Sequence, residues 1–181
     1  MKIKFNAPVI LGFSLICTIV FILNLLTGNS FMGLFSVGAS INWSNPFSIL
    51  SLVTHIFGHI SWDHLIGNLS FILLLGPIAE EKYGSSNMAV MILMTGLITG
   101  LLNVFFFDTG LLGASGIVFM LILLVSFTNV NGGEIPVSFI LVALLYVGRE
   151  VMQSIRADQV SQFAHIIGGL CGSFFGYGRR R

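Results

Sequence analysis

Charged residues are so rare in this chain that they divide it into long uncharged stretches. No charged side chain occurs between Lys4 and Asp63 or between Asp158 and Arg179. A helix that crosses a bilayer needs about 20 mostly apolar residues. The uncharged stretches, and the turn-forming residues between them, predict six such helices, at about 8–27, 64–80, 86–106, 113–129, 135–152 and 160–177. The second and fourth are short, which is typical of helices that lie within protein or beside a wet cavity.

The composition agrees with a membrane protein. Of the 181 residues, 55% are hydrophobic and 8% are charged, and the mean hydropathy is +0.97. Soluble domains carry about 25% charged residues, so this chain cannot cover a water-facing surface. The sequence therefore predicts a single all-α membrane domain over 1–181, with a six-helix core at about 8–177. A net charge of +1 gives no indication of a nucleic-acid partner.

The lysines and arginines predict the orientation of the helices. With the N-terminus inside, six of the eight positive residues fall on the cytoplasmic side, among them Lys82 and Arg179–Arg181. Only Arg149 and Arg156 fall outside. Because cytoplasmic loops carry the excess of positive charge, we expect both termini to be cytoplasmic.

Four polar residues fall at one predicted depth. His64 and Asn68 open the second helix, and Ser115 opens the fourth. His165 lies in the second turn of the sixth helix. In the predicted orientation these helices enter from the same side, so all four side chains lie in the outer third of the membrane. Polar groups at that depth usually face a bundle interior or a wet cavity, and we expect them to form one site.

Helical phase indicates how two of these residues meet. Gly168, Gly172 and Gly176 recur every four residues, which makes a smooth face that another backbone can approach closely. His165 lies on the same face, three residues before Gly168. The fourth helix is the natural partner, and close packing would bring the Ser115 hydroxyl within hydrogen-bond reach of the imidazole. That is the geometry of an activated nucleophile.

His64 and Asn68 lie one helical turn apart on one face. Both side chains can donate hydrogen bonds to a developing oxyanion. The exposed backbone N–H groups at the start of the fourth helix, including that of Ser115, would add to this.

Two other interpretations remain open for these residues. A serine beside glycine in a membrane helix is usually a packing residue. His55 and His59 have the i, i+4 spacing of zinc ligands, with Asp63 as the nearest carboxylate. No glutamate lies between the two histidines, and otherwise they are expected to tie down the outer loop by hydrogen bonds. At the cytoplasmic edge, Glu80 could reach into the bundle and tie loop backbone.

Three motifs in this order resemble those of rhomboid-family intramembrane serine proteases. They are HISWDHLIGN at 59–68, GASG at 113–116 and AHIIGGLCG at 164–172. The resemblance covers about 45–177 and implies a catalytic dyad, with Ser115 as the nucleophile and His165 as the general base and later the acid. It also implies an oxyanion hole formed by His64, Asn68 and the Ser115 amide.

Further positions match the family, and some depart from it. Gly113 and Gly116 flank the serine, Gly168 and Gly172 match the close-packing glycines, and Glu80 matches the acidic residue that closes the second helix. Phe119 stands where the family often has tyrosine, so ring stacking is kept and the hydroxyl is lost. A Trp-Arg pair of many members is missing, with Leu50 and Ser51 at those places in an outer loop of about 28–54.

The resemblance implies peptide-bond hydrolysis in or near the transmembrane helix of single-span membrane proteins. It implies no metal and no organic cofactor, and a multi-pass protein of the lipid bilayer. The lean chain suggests a bacterial plasma membrane. The alternatives are a non-catalytic rhomboid-like protein that binds membrane helices, and a small transporter or zinc-site protein that uses the histidine cluster.

Overall fold

The computed structural model describes residues 5–126 and 159–178, together with the helical positions 137, 140, 141, 144 and 145. Apart from those five positions, the predicted fifth helix at 135–152 lies outside the described residues. Within the described part the chain forms helices and loops, with one isolated antiparallel bridge between Val37 and Leu111.

The described α-helices agree with an all-helical membrane protein. They are α1 (Pro8–Leu26), α2 (Pro46–Thr54), α3 (Trp62–Tyr83), α4 (Ser85–Phe106), α5 (Ser115–Ser126) and α6 (Gln159–Gly178). By length and composition, α1, α3 and α4 could each cross a membrane, and α5 is apolar but shorter. Two single turns of 3-10 helix lie at Met32–Leu34 and His55–Phe57. The all-helical membrane class is confirmed, while the six spans and the cytoplasmic termini stay predictions.

Helix α3 is longer than the predicted stretch of 64–80. Its start is capped by Ser61, whose side-chain oxygen accepts from the backbone N–H of His64 at 3.1 Å. It ends at Gly84, whose φ of 82° suits a helix terminus that only glycine adopts easily. The prediction stopped at the charged residues, but Glu80 is buried and the helix continues past it for almost a turn.

The region predicted as an outer loop, at about 28–54, contains the nine-residue helix α2. Asn45 caps this helix, because its side chain accepts from the backbone N–H of Phe47 at 3.0 Å, and Pro46 occupies the first turn. Nine residues extend for only about 14 Å, so α2 is too short to cross a membrane. The predicted outer loop therefore contains a short helix that the hydrophobic pattern did not indicate.

Glu80 joins α3 to the start of α1. Its carboxylate accepts from the backbone N–H groups of Val9 at 3.1 Å and Ile10 at 2.9 Å, and from the hydroxyl of Ser85 at 2.7 Å. The first N–H groups of a helix have no acceptor within the helix, so this carboxylate satisfies two of them and complements the helix dipole. Glu80 does reach into the bundle, and it ties a helix start rather than a loop.

Helix α5 occupies the centre of the described bundle. All nine residues from Gly116 to Leu124 are buried, and α3, α4 and α6 pack around the helix. A helix that is apolar on every side is typical of such a position. The central helix therefore places its first residue, Ser115, within the protein.

Candidate active site

The turn before Ser115 lies directly against the ring of His64. Gly113 has a φ of 120°, which an L side chain rarely adopts. Its N–H donates to the carbonyl of His55 at 2.9 Å. A Cβ at Gly113 would lie 2.7 Å from Cε1 and 2.8 Å from Nε2 of His64. Only glycine fits there, and the turn sets the distance between His64 and the start of α5.

Helix α6 packs against α5 through its glycine face. A Cβ at Gly168 would overlap the backbone carbonyl of Gly116, and a Cβ at Gly172 would overlap that of Met120. From the other side, the Cβ position of Gly116 lies 3.5 Å from the carbonyl oxygen of Ala164. The two backbones are therefore in direct contact, which is the packing that the glycine spacing predicts.

This contact brings His165 onto the Ser115 face of α5. The imidazole stacks on the ring of Phe119, with centroids 4.3 Å apart and planes inclined by 8°. Phe119 lies one turn after Ser115, so both side chains project from the same side of α5. His165 is also close enough to His64 for the two rings to interact electrostatically. The structure thus gathers the predicted site residues of α3, α5 and α6.

Asn68 is fixed by a histidine that precedes its helix. Its Nδ2 donates to Nε2 of His59 at 3.1 Å, and both side chains are buried. The other ring nitrogen, Nδ1 of His59, lies 3.2 Å from the carbonyl oxygen of Phe57. Since a carbonyl can only accept, the proton of the neutral ring lies on Nδ1 and Nε2 is the acceptor. The amide nitrogen of Asn68, rather than its oxygen, therefore faces His59.

His59 lies between α2 and α3, outside the membrane-spanning helices. Burial lowers the pKa of His59 from 6.5 to about 4, and repulsion from His64 acts in the same direction. The rings of His59 and His64 meet edge to face, with centroids 5.0 Å apart. At neutral pH His59 is therefore uncharged, with its one ring proton on Nδ1 and a lone pair on Nε2.

The environment of His64 favours one tautomer. Its Nδ1 is buried and has no hydrogen-bond partner among the described residues, whereas its Nε2 faces Gly113. A buried N–H without an acceptor is rarer in proteins than an under-used acceptor. The neutral ring therefore carries its proton on Nε2, directed towards the turn that precedes Ser115.

His55 and His59 use both ring nitrogens within the protein. Nδ1 of His55 lies 3.3 Å from the carbonyl oxygen of Ser51, and its Nε2 lies 3.4 Å from the hydroxyl of Thr99. These contacts tie down the segment between α2 and α3, as the sequence predicts. Across the described residues, no three His, Cys, Asp or Glu side chains are grouped so that they could hold a metal ion.

Sequence reasoning missed the link between His59 and Asn68. It assigned His59 to a loop and Asn68 to a helix face, and helical periodicity does not relate the two. The nine-residue separation of His59 and Asn68 spans a loop and a helix start, so it matches no regular secondary-structure period. The pair is visible only once the segment between α2 and α3 is folded back on the first turns of α3.

Comparisons with known proteins show which family this chain resembles. The rhomboid domain family model matches residues 46–181. The rhomboid protease GlpG of Yersinia pestis (strain Pestoides F) is 29% identical over 132 residues, which are 72% of this chain and 47% of that protein. The protein of the same name from Haemophilus influenzae is 23% identical over 128 residues, 69% of this chain and 67% of the relative.

The chain spans about half the length of the Yersinia relatives that it matches. The family model, however, covers well over half of the chain. The chain therefore belongs to the rhomboid family and, with its long apolar helices, is an integral membrane protein.

Proposed function

We propose that this protein is an intramembrane serine endopeptidase that cuts single-span membrane proteins in or near their transmembrane helix. The observation that carries the proposal is the stacking of His165 on Phe119, one turn from Ser115, where α5 and α6 touch backbone to backbone. The relatives named rhomboid protease support a peptidase.

In this proposal Ser115 is the nucleophile and His165 is the general base. The Ser115 oxygen bonds to the carbonyl carbon of the substrate while its proton passes to the neutral imidazole. The C–N bond then breaks, and His165 returns the proton to the leaving amine. A water molecule attacks the resulting ester by the same proton route, which releases the new carboxyl terminus and restores the serine.

His64, Asn68 and the Ser115 amide would stabilise the negative charge on the substrate oxygen. Nε2 of His64 and Nδ2 of Asn68 lie 2.8 Å and 4.0 Å from one point, the Cβ position of Gly113. Nε2 of His64 carries a proton in the tautomer that its surroundings favour, and the amide nitrogen of Asn68 always carries two. Loss of one such donor typically lowers kcat by about 10²–10³.

The membrane sets the remaining requirements of the reaction. We propose that the site opens towards the outer side of a bacterial plasma membrane, with both termini in the cytoplasm. A helical peptide bond is shielded by its own hydrogen bonds, so the substrate must unwind locally. Glycine and other weak helix formers near the cleavage point would favour this. The proposed chemistry needs no metal or organic cofactor.

Cleavage of a single-span reporter with a glycine-containing helix tests the proposal. Purified wild type, Ser115→Ala and His165→Ala are compared in detergent, with and without a chelator. Ser126→Ala is the matched control, because this serine lies on the same helix and, among the described residues, donates to the carbonyl of Ile122 at 2.8 Å. We expect cleavage by the wild type and Ser126→Ala alone, unaffected by the chelator.

Cleavage by Ser115→Ala at the wild-type rate would overturn the proposal, and loss of cleavage with chelator would favour a zinc site. If the wild type leaves several reporters intact, labelling by a fluorophosphonate separates two explanations. Labelling that depends on Ser115 indicates a narrow choice of substrate. An unlabelled Ser115 indicates a rhomboid-like protein that binds helices without cutting them.

A further inference from the structure

We propose that His59 is a positioning residue that holds Asn68 with one amide N–H directed at the reacting carbonyl of the substrate. The inference rests on the proposed function and adds a residue to it. It follows from a chain of two hydrogen bonds, from Nδ1 of His59 to the Phe57 carbonyl at 3.2 Å and from Nδ2 of Asn68 to Nε2 of His59 at 3.1 Å.

The first bond determines the second. The Phe57 carbonyl can only accept, so Nε2 of His59 presents a lone pair. If the Asn68 amide turned over, its oxygen would face that lone pair and two acceptors would repel each other. The amide nitrogen therefore stays towards His59, and one of its two hydrogens is used there.

The second hydrogen of this amide is the one that can act on a substrate. The amide group is planar, so its two N–H bonds diverge by about 120°. The nitrogen lies 4.0 Å from the Cβ position of Gly113, on the side of the turn that precedes Ser115. With one hydrogen on His59, the other is left for the region between α3 and the first turn of α5.

The segment that carries His59 cannot easily shift. His59 itself is 1% exposed. The N–H of Gly58 donates to the His55 carbonyl at 3.1 Å, and a Cβ at Gly58 would overlap the Phe35 carbonyl. These contacts hold the peptide between Phe57 and Gly58, and with it the Phe57 carbonyl that orients the His59 ring. Pre-organised donors of this kind need no rearrangement when charge develops.

The test measures kcat and KM on the reporter for His59→Ala, Asn68→Ala and the double variant. We expect His59→Ala to lower kcat on the order of tenfold, as a misdirected oxyanion donor would, with KM almost unchanged. The double variant should have the kcat of Asn68→Ala, because His59 acts only through Asn68. Effects that multiply in the double variant, or a wild-type kcat for His59→Ala, would overturn the proposal.

His59→Gln separates positioning from folding. The glutamine oxygen can accept from Asn68 near the place of Nε2, so this variant should recover most of the lost kcat. His55→Gln is the matched buried histidine, which contacts Ser51 and Thr99 but not Asn68. Its effect on kcat should multiply with that of Asn68→Ala. Thermal unfolding in detergent identifies any variant that has simply lost its fold.

A readout without catalysis distinguishes failure of this inference from failure of the proposed function. In ¹⁵N-histidine NMR spectra at neutral pH, we expect His59 as the tautomer protonated at Nδ1, with an Nε2 resonance that moves in Asn68→Ala. A proton on Nε2 of His59 would overturn the inference whatever the activity. Absence of Ser115-dependent cleavage with the expected spectrum would instead count against the protease.

Discussion

Gly113 meets two requirements that no other residue type could meet at its position. Its φ is 120°, and the His64 ring fills the space of a Cβ. The next residue, Ala114, is fully buried, so the turn cannot move outwards. The sequence identifies Gly113 as the glycine before the serine. Its contact with His64 depends on how α3 packs against α5, and a local sequence pattern cannot predict that packing.

At the same scale, the lowered pKa of His59 predicts how the stability of the folded protein depends on pH. Its pKa is lowered from 6.5 to about 4 in the folded protein, chiefly by burial. Between these values the unfolded chain binds a proton that the folded protein does not. The free energy of unfolding therefore decreases as pH falls from 6.5 to 4, by up to about 3 kcal/mol, and this contribution is constant outside the window.

Thermal unfolding midpoints in detergent at pH 7.5, 5.5 and 4.5 check this prediction. The wild type should lose stability more steeply than His59→Gln, which has no ring to protonate. Parallel slopes for the two proteins would show that His59 titrates normally in the folded state.

At the scale of elements, the long apolar helices were predictable and their connections were not. The predicted bounds of α1 and α4 agree with the observed ones within a residue or two, because hydropathy and turn residues define them. Helix α2 is too short to give a clear period, although Asn45 before Pro46 is a local start signal that could have found it. The extension of α3 past Glu80 depends on a tertiary contact that makes a buried charge tolerable.

The contact between α5 and α6 predicts that alanine at Gly168 is damaging, whereas alanine at the neighbouring Gly169 is tolerated. Gly168→Ala would force a Cβ into the Gly116 carbonyl, so the helices must separate and His165 must move. We expect a loss of about 1–3 kcal/mol of stability and at least a tenfold loss of reporter cleavage. Gly169→Ala is the control, because its Cβ would meet the Leu123 side chain at an ordinary 3.7 Å. Equal effects of the two changes would contradict the packing described here.

For the whole molecule, Glu80 connects the first helix to the rest of the bundle. Glu80→Ala leaves the N–H groups of Val9 and Ile10 without their acceptor, and we expect it to lower the free energy of unfolding by about 2–4 kcal/mol. Glu81→Ala changes the adjacent exposed carboxylate and should have little effect. Thermal unfolding in detergent measures both. A Glu80→Ala variant as stable as the wild type would show that α1 does not depend on this cap.

The sequence predicted which residues would meet, because the three motifs fall on three helices that were expected to enter from the same side. Helix phase placed His165 opposite the start of the fourth helix, and the structure has that packing. The orienting contact from His59 to Asn68 could not be predicted, because hydrogen bonds between a loop and a helix depend on the folded path of the loop.

The direct backbone contact between α5 and α6 also limits how the molecule can move. With no side chains between Gly168 and Gly116, or between Gly172 and Met120, there is no layer that could deform or let one helix slide along the other. The two helices should therefore move as a rigid body, and thermal fluctuations will hardly change the spacing of Ser115 and His165. In the proposed protease, any rearrangement that admits a substrate helix would have to use looser contacts elsewhere in the bundle.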